Sequence, residues 1–185
     1  MKKHIIIISG VPGSGKSSTA RGVANTLGYE HFSSGDLFRK MAGERGLSVE
    51  GLNLLAEKQK QIDLEVDEYL RRIGKEKDNL VIDSRTAFHW IPDSFKVFLD
   101  LDPQIAAART FGQIQREGRT SQNGSSVGEV REKTVKRIQS EKKRYESLYN
   151  IDVTDKTHFD LIVDTGTNNL EEVITKVVAA YQKWL

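Results

Sequence analysis

The residues with the clearest capacity for chemistry lie in a glycine-rich segment near the start of the chain. Residues 10–17 read GVPGSGKS, which fits the phosphate-binding loop (P-loop) pattern G-x-x-x-x-G-K-[ST]. Glycines allow backbone N–H groups to turn inward at the start of a helix, where the helix dipole also favours phosphate. Lys16 would bring a positive charge to the β and γ phosphates, and the Ser17 hydroxyl is suited to bind Mg²⁺. The alternative is a glycine-rich turn with a surface lysine. The predicted ligands of ATP and Mg²⁺ are Gly10, Gly13, Ser14, Gly15, Lys16, Ser17 and Ser18.

A second polar segment, residues 33–39, reads SSGDLFR and follows a short apolar stretch. Ser33 and Asp36 have the spacing of a capping box, which would make the segment a purely structural helix start. In the functional interpretation, Ser34 and the start of the helix hold the phosphate of a second substrate, with Arg39 one turn later on the same side. The residues alone leave both interpretations open.

Short apolar runs alternate with helical stretches and indicate the elements that position these segments. Uniformly apolar runs suit parallel strands that are buried on both faces. The alternation of strand and helix predicts an α/β fold with a doubly wound sheet. Apolar residues also recur at helical spacing over 170–184, after an acidic first turn, and predict a core helix. The strand candidates are residues 5–9, 31–32, 80–82, 95–99 and 159–163.

Length and composition indicate one ordinary globular domain. The chain has 185 residues, 37% hydrophobic and 29% charged, with 28 Lys and Arg against 26 Asp and Glu. A disordered chain would be poorer in apolar residues and less balanced in charge. The absence of cysteine excludes disulfides, Cys-based zinc sites and thiol catalysis. The apolar run at residues 5–8 is too short for a signal peptide and no run is long enough to span a membrane, so we expect a cytoplasmic protein.

Two segments interrupt the regular alternation within this single domain, residues 1–185. Residues 34–75 are predicted to be helical, because apolar residues recur at helical spacing between positions 62 and 73. Residues 117–128 are polar and rich in Gly and Ser, as expected of a mobile loop. Ten Lys and Arg face only four Asp and Glu in residues 103–144. This region attracts anions, or it is a well-solvated basic helix face.

An alternative interpretation is that the same basic region binds nucleic acid. The protein would then be an RNA-associated ATPase that uses the P-loop to bind ATP. The aromatic residues Phe111, Tyr145 and Tyr149 are scattered among many charges there, unlike the interleaved aromatics of RNA-binding motifs. We therefore do not expect nucleic acid as a partner. The expected partners are small-molecule nucleotides, and we expect a monomer that does not bind a membrane.

Longer motifs, in order along nearly the whole chain, resemble those of the nucleoside monophosphate kinases. They read ISGVPGSGKSS, SSGDLFRKMAGERGLS, QIDLEVDEY, VIDSR, VFLDLDP, SEKKRY, YNID and DLIVDT. Among these kinases the chain most resembles the short cytidylate kinases of archaea. The resemblance implies a five-stranded parallel core of the P-loop NTPase type, a helical monophosphate-binding segment at about 34–75 and a short lid at about 117–128. It also implies transfer of the γ-phosphoryl group of MgATP to CMP or dCMP, with an adenylate or uridylate kinase as the alternative.

The same resemblance implies roles for residues on the acceptor side. Arg85 would contact the monophosphate, unless it pairs with Asp83, and Asp83 would reach Mg²⁺ directly or through water, unless it only forms a turn. Asp63 and Asp67, four residues apart on one helical face, would accept hydrogen bonds from ribose hydroxyls or a cytosine amino group, unless both are solvated. The phosphate of the monophosphate would be bound by Ser34, Gly35, Asp36 and Arg39.

Arginines towards the second half of the chain are implied to neutralise the transferred phosphoryl group. Related kinases often carry one of them at the position of Gln113, so Arg116 or Arg119 would replace it here. The implied catalytic residues are Lys16, Arg116, Arg137 and Arg144.

The ATP base is implied to lie between two other parts of the chain. Arg109 follows Asp100 by nine residues, a spacing at which related kinases stack an arginine on the base. Thr165 and Gly166, before the last helix, would lie at the edge of the base.

Overall fold

The fold is built on five parallel strands, in a computed structural model that describes residues 3–117 and 126–185. The strands are β1 (Ile5–Gly10), β2 (Glu30–Ser33), β3 (Leu80–Asp83), β4 (Phe95–Asp100) and β5 (Leu161–Asp164). Their order across the sheet is β2-β3-β1-β4-β5, and each neighbouring pair is parallel. Parallel neighbours need crossover connections, which are helical here, so the predicted doubly wound α/β fold is confirmed.

Helices cover both faces of this sheet. They are α1 (Lys16–Leu27), α2 (Ser34–Glu44), α3 (Val49–Ala56), α4 (Gln61–Glu76), α5 (Ala87–Trp90), α6 (Pro103–Glu117), α7 (Val127–Tyr149) and α8 (Leu170–Trp184). The segment 34–75 is helical as expected, since it contains α2, α3 and most of α4. The predicted loop at 117–128 is too long at its end, because Ser126 caps α7 by accepting a hydrogen bond from the Glu129 N–H at 3.2 Å. Residues 118–125 of that loop lie outside the described part of the chain.

The core forms two layers, one on each face of the sheet. Ile5 and Ile7 of β1 point into the layer formed with α2, α3, α4 and α5, whereas Ile6 and Ile8 point into the layer formed with α1 and α8. All four side chains are fully buried. The uninterrupted run of isoleucines follows from this arrangement, because a strand covered on both faces has no polar side.

Strand β5 begins two residues later than the sequence predicts. Asp155 caps a short 3-10 turn by accepting hydrogen bonds from Thr157, and this turn ends before the strand. The Phe159 ring then packs against Phe88 and Phe98, with ring centroids 5.0 Å away in each case. Phe159 therefore contributes to the core from the turn and not from the strand.

The carboxyl ends of the strands meet at one edge of the sheet. Gly10, Ser33, Asp83, Asp100 and Asp164 end the five strands there. Because β1 lies between β3 and β4, the chain leaves the end of β1 at the point where the strand order changes direction. Open α/β sheets bind their ligands in the crevice at this point.

Candidate active site

The P-loop connects β1 to α1 at this crevice. Gly10, Gly13 and Gly15 have positive φ angles of 142°, 81° and 85°, a backbone conformation that side chains disfavour. A Cβ atom at Gly13 would also lie 2.8 Å from both Ala106 O and Thr110 Oγ1. The loop thus needs glycine for its turns and for its contact with α6, and it leads directly into the N-terminus of α1.

Lys16 is the first residue of α1, and its surroundings suit the binding of an anion. Its Nζ donates a hydrogen bond to Val11 O at 2.9 Å and lines the cavity above the P-loop. Burial and, less strongly, Arg85 lower the pKa of Lys16 to about 7, against the opposing effect of Asp83. A phosphate in this position would favour the charged form, because its negative charge would offset the loss of solvation of the ammonium group. Ser14 Oγ is buried without a hydrogen-bond partner among the described residues, as suits a side chain whose partner is a ligand.

Asp83 and Ser17 form a set of oxygen donors beside the P-loop. The Ser17 hydroxyl donates to Asp83 Oδ1 at 3.4 Å and the Ser33 hydroxyl donates to the same oxygen at 3.1 Å. His31 Nε2 lies 2.9 Å from Asp83 Oδ2, so the carboxylate is held from both sides. The described residues contain no group of three or more His, Cys, Asp or Glu placed to hold a metal. A hydroxyl and one carboxylate nevertheless fit Mg²⁺, which takes few protein ligands and completes its shell with phosphate and water.

One cavity of about 170 Å³ joins the P-loop to the start of α2. Ser18, which is also predicted to bind ATP, follows Ser17 on α1 and is exposed. Positive groups of α1, α2, α7 and the connection after β3 line the cavity, together with Gln113 of α6. Its lining includes Gly13, Lys16, Ser17, Ser34, Gly35, Arg39, Asp83, Arg85, Gln113 and Arg137.

The start of α2 combines the two interpretations of the SSGDLFR segment. The Ser33 side chain caps the helix by accepting a hydrogen bond from the Asp36 N–H at 3.2 Å. Asp36 pairs with Arg39, which remains 46% exposed and lines the cavity. The Ser34 hydroxyl donates to Asp83 O at 3.3 Å, which fixes this helix start beside the P-loop. The segment is therefore both a capped helix start and a wall of the cavity.

Arg85 pairs with Glu141 of α7, so the alternative pairing with Asp83 is wrong. Arg137 Nε lies 2.8 Å from the other oxygen of Glu141, whose side chain is 4% exposed. Burial alone would raise the pKa of Glu141, but Arg85 and Arg137 together lower it to about 2. One buried carboxylate thus holds two arginines at the cavity. Sequence reasoning gave Glu141 no role, although it lies in the SEKKRY motif and four residues after Arg137.

A second, smaller cavity of about 60 Å³ lies beyond Arg85 and contains Asp63 and Arg144. Arg144 Nε lies 2.9 Å from Asp63 Oδ2, and both side chains are buried. Burial raises the pKa of Asp63 to about 6, against the effect of Arg144, and the neighbouring Asp67 adds to the rise. The alternative that Asp63 and Asp67 are solvated is wrong, since they are 3% and 2% exposed.

The residues implied at the ATP base also come together. Arg109 Nη2 donates to Thr165 O at 2.8 Å, and Thr165 donates to Asp100 O from its N–H at 2.9 Å and from its hydroxyl at 3.1 Å. Gly166 N–H donates to Asp164 Oδ1 at 2.7 Å. These contacts tie α6 to the loop after β5. Arg119 and the side chain of Arg116 lie outside the described part of the chain.

Comparisons with known proteins agree with this architecture. A family model described as an AAA domain matches residues 9–128. A cytidylate kinase of Haloquadratum walsbyi is 37% identical over 183 residues, which cover 96% of this chain and 91% of the relative. A cytidylate kinase of Halobacterium salinarum is 38% identical over 184 residues and covers the same shares. A cytidylate kinase of Archaeoglobus fulgidus is 32% identical over 178 residues, covering 96% and 94%.

Solved structures with little sequence identity have the same fold. Shikimate kinase from Bacteroides thetaiotaomicron matches with a TM-score of 0.63 at 14% identity, covering 98% of this chain and 96% of that one. A gluconokinase from Sinorhizobium meliloti matches with a TM-score of 0.58 at 16% identity, covering 99% and 94%. The resemblance based on motifs is thereby confirmed, and this chain belongs to the cytidylate kinase family of P-loop kinases.

Proposed function

We propose that this protein transfers the γ-phosphoryl group of MgATP to CMP or dCMP, giving ADP and CDP or dCDP. The observation that carries the proposal is the cavity between the P-loop and α2, where Lys16, Arg39, Arg85 and Arg137 surround a single volume. Two phosphate-bearing substrates placed end to end would meet at these charges. Phosphoryl transfer needs mainly alignment and stabilisation of charge, both of which such a cavity supplies.

On the donor side, the inward N–H groups of the P-loop and Lys16 bind the phosphates of ATP, and Arg109 and Thr165 flank its base. Ser17, with Asp83 close by, would hold Mg²⁺, which would supply positive charge to the phosphates of ATP. The phosphates keep Lys16 protonated, and its flexible side chain can follow the phosphoryl group during transfer.

On the acceptor side, Ser34, Gly35, Asp36 and Arg39 at the start of α2 bind the monophosphate together with Arg85. Arg137 and Arg144 line the cavities beside these residues, and Arg137 would neutralise charge on the transferred phosphoryl group. No general base is required, because the loose transition state involves little proton transfer.

The adjacent Asp63 and Arg144 favour cytosine as the acceptor base. A carboxylate beside a guanidinium presents an acceptor next to donors, which complements the amino group of cytosine and its neighbouring ring nitrogen. Uracil presents an oxygen acceptor where cytosine has the amino group and would face the carboxylate of Asp63. Adenine has a similar edge to cytosine, but the small volume beyond Arg85 favours a single-ring base.

The remaining parts of the proposal concern segments and surroundings. We assign monophosphate binding to residues 34–75, and a lid that excludes water from the reaction to the segment between α6 and α7. Of the described residues, none lies in a helix long and apolar enough to cross a membrane. We propose a cytoplasmic monomer that acts on free nucleotides. Light scattering of the purified protein tests its oligomeric state, and the same measurement with added RNA tests whether it binds nucleic acid.

A coupled assay with ATP and each of CMP, dCMP, UMP, AMP and GMP tests the reaction. We expect the highest kcat/KM with CMP or dCMP, and little ATP hydrolysis when no acceptor is present. Preference for AMP or UMP would refute the assignment of Asp63 and Arg144 to cytosine. Turnover with none of the five, or equal ATP hydrolysis without an acceptor, would refute the kinase assignment itself.

A further inference from the structure

Asp67 lines the smaller cavity of about 60 Å³, here called the acceptor cavity, and each of its carboxylate oxygens already accepts a hydrogen bond from the protein. Its side chain lies on α4, one turn after Asp63, and the residue is 2% exposed. Asp67 Oδ1 accepts a hydrogen bond from the Thr86 hydroxyl at 2.8 Å, and Oδ2 accepts one from the Tyr149 hydroxyl. Asp67 is therefore held by two hydroxyls from different parts of the chain, whereas both oxygens of Asp63 face the single guanidinium of Arg144.

The bond to Thr86 fixes the short segment that carries Arg85. The Thr86 and Ala87 N–H groups both donate to Ser84 Oγ at 3.3 Å, and the Ser84 N–H donates to Ile8 O at 3.2 Å. Ser84 thus anchors the segment to β1, and Thr86, 4% exposed, anchors it to α4 through Asp67. Arg85 lies between these two anchors, so they limit the directions in which its side chain can point.

The bond to Tyr149 fixes the far end of α7. Tyr149 is the last residue of this helix, which also carries Arg137, Glu141 and Arg144. Burial raises the pKa of the Tyr149 hydroxyl, and the hydrogen bond to Asp67 raises it further, so the hydroxyl remains a donor. Asp67 therefore holds both partners of the ion pair between Arg85 and Glu141, one through the neighbouring residue and one through the helix end.

We propose that Asp67 is a positioning residue for the acceptor side of the reaction, acting through Thr86 and Tyr149 on Arg85 and α7 without touching the substrate. The proposal rests on the proposed function, in which Arg85 binds the acceptor phosphate. It predicts that removal of either hydroxyl weakens acceptor binding, although neither hydroxyl is placed at the phosphates.

Tyr149→Phe is the most informative variant, because it removes one hydroxyl outside the acceptor cavity. We expect it to raise the KM for CMP about tenfold and to leave the KM for ATP nearly unchanged, as for loss of one hydrogen bond to a buried charge. Thr86→Val should give the same pattern, and Thr86→Ser, which keeps the hydroxyl, should restore wild-type values. Tyr69→Phe removes a hydroxyl elsewhere on α4 and is the matched control, with no expected change.

Amide hydrogen exchange provides a readout that needs no substrate. In Tyr149→Phe, peptides that cover residues 84–87 and the end of α7 should exchange faster than in the wild type. Unchanged exchange would overturn the proposal, as would a rise in both KM values together with a fall in melting temperature. Asp67→Asn could also raise the KM for CMP when neither Tyr149→Phe nor Thr86→Val does so. That result would overturn the proposal and make Asp67 a direct ligand of the substrate. Failure of the wild type with every monophosphate would refute the proposed function, while the exchange result would still decide whether Asp67 holds these segments.

Discussion

Glu141→Gln tests the electrostatics of the acceptor side most directly. The substitution keeps the shape of the side chain and removes its charge from between Arg85 and Arg137. Two guanidinium groups would then face each other across a neutral amide in a buried position. Loss of one partner from a buried ion pair is strongly destabilising, because the remaining charges stay desolvated.

The size and sign of the effect follow from the lowered pKa of Glu141. Its pKa falls from 4.5 to about 2 in the folded protein, a difference that corresponds to roughly 3 kcal/mol of stability. Since the folded pKa is the lower one, this stability is present above the pKa of the unfolded chain and is lost as the pH falls towards the folded pKa. The wild type should therefore exceed Glu141→Gln by about 3 kcal/mol near neutral pH, and the gap should close between about pH 4.5 and pH 2.

Urea unfolding over this pH range measures the gap. Glu132→Gln is the matched control, because Glu132 lies on the same helix and pairs with Lys136 where both side chains are well exposed. The control should unfold like the wild type at every pH, since exposed pairs contribute little. Equal stability of Glu141→Gln and the wild type at neutral pH would refute the reasoning, as would a gap that persists in acid.

Three substitutions test the assignment of the phosphate and base contacts. Lys16→Ala should lower kcat by about a thousandfold or more and leave the melting temperature unchanged, because this lysine contributes charge to the transition state and little packing; full activity would contradict the P-loop assignment. Arg39→Ala, measured by steady-state kinetics, should raise the KM for the monophosphate more than that for ATP, whereas equal effects would place Arg39 elsewhere. Arg109→Ala should do the reverse and raise the KM for ATP alone, since the proposed function places Arg109, which donates to Thr165 O, beside the base of ATP.

The P-loop could be predicted from the sequence because its conformation is local. The positive φ angles of Gly13 and Gly15 and the helix start at Lys16 involve consecutive residues, so one pattern specifies the whole phosphate-binding turn. The fold was accessible for a similar reason. Runs of apolar residues such as 5–8 report burial on both faces without reference to any distant residue.

The partner of Arg85 could not be predicted in this way. A carboxylate two residues away, Asp83, was the obvious choice, whereas the actual partner lies on α7, far along the chain. The spacing of Arg137 and Glu141 also gave little guidance, because Glu132 and Lys136 have the same spacing on the same helix and form an exposed pair. Only the packing of α7 against the acceptor cavity decides which pair is buried.

Asp63 and Asp67 show why the acceptor site needs the tertiary structure. On a helical wheel they are equivalent, yet Asp63 meets Arg144, 81 residues away, and Asp67 meets Tyr149, 82 residues away. Asp63 contacts the single guanidinium of Arg144, and a substrate can replace one of these two contacts. The burial of Asp63 is therefore consistent with ligand binding. Asp67 has two hydroxyl donors that no substrate needs to displace, which suits a positioning role. Within one cavity, the nature of the partners and not burial itself separates a carboxylate that can bind substrate from one that holds the site together.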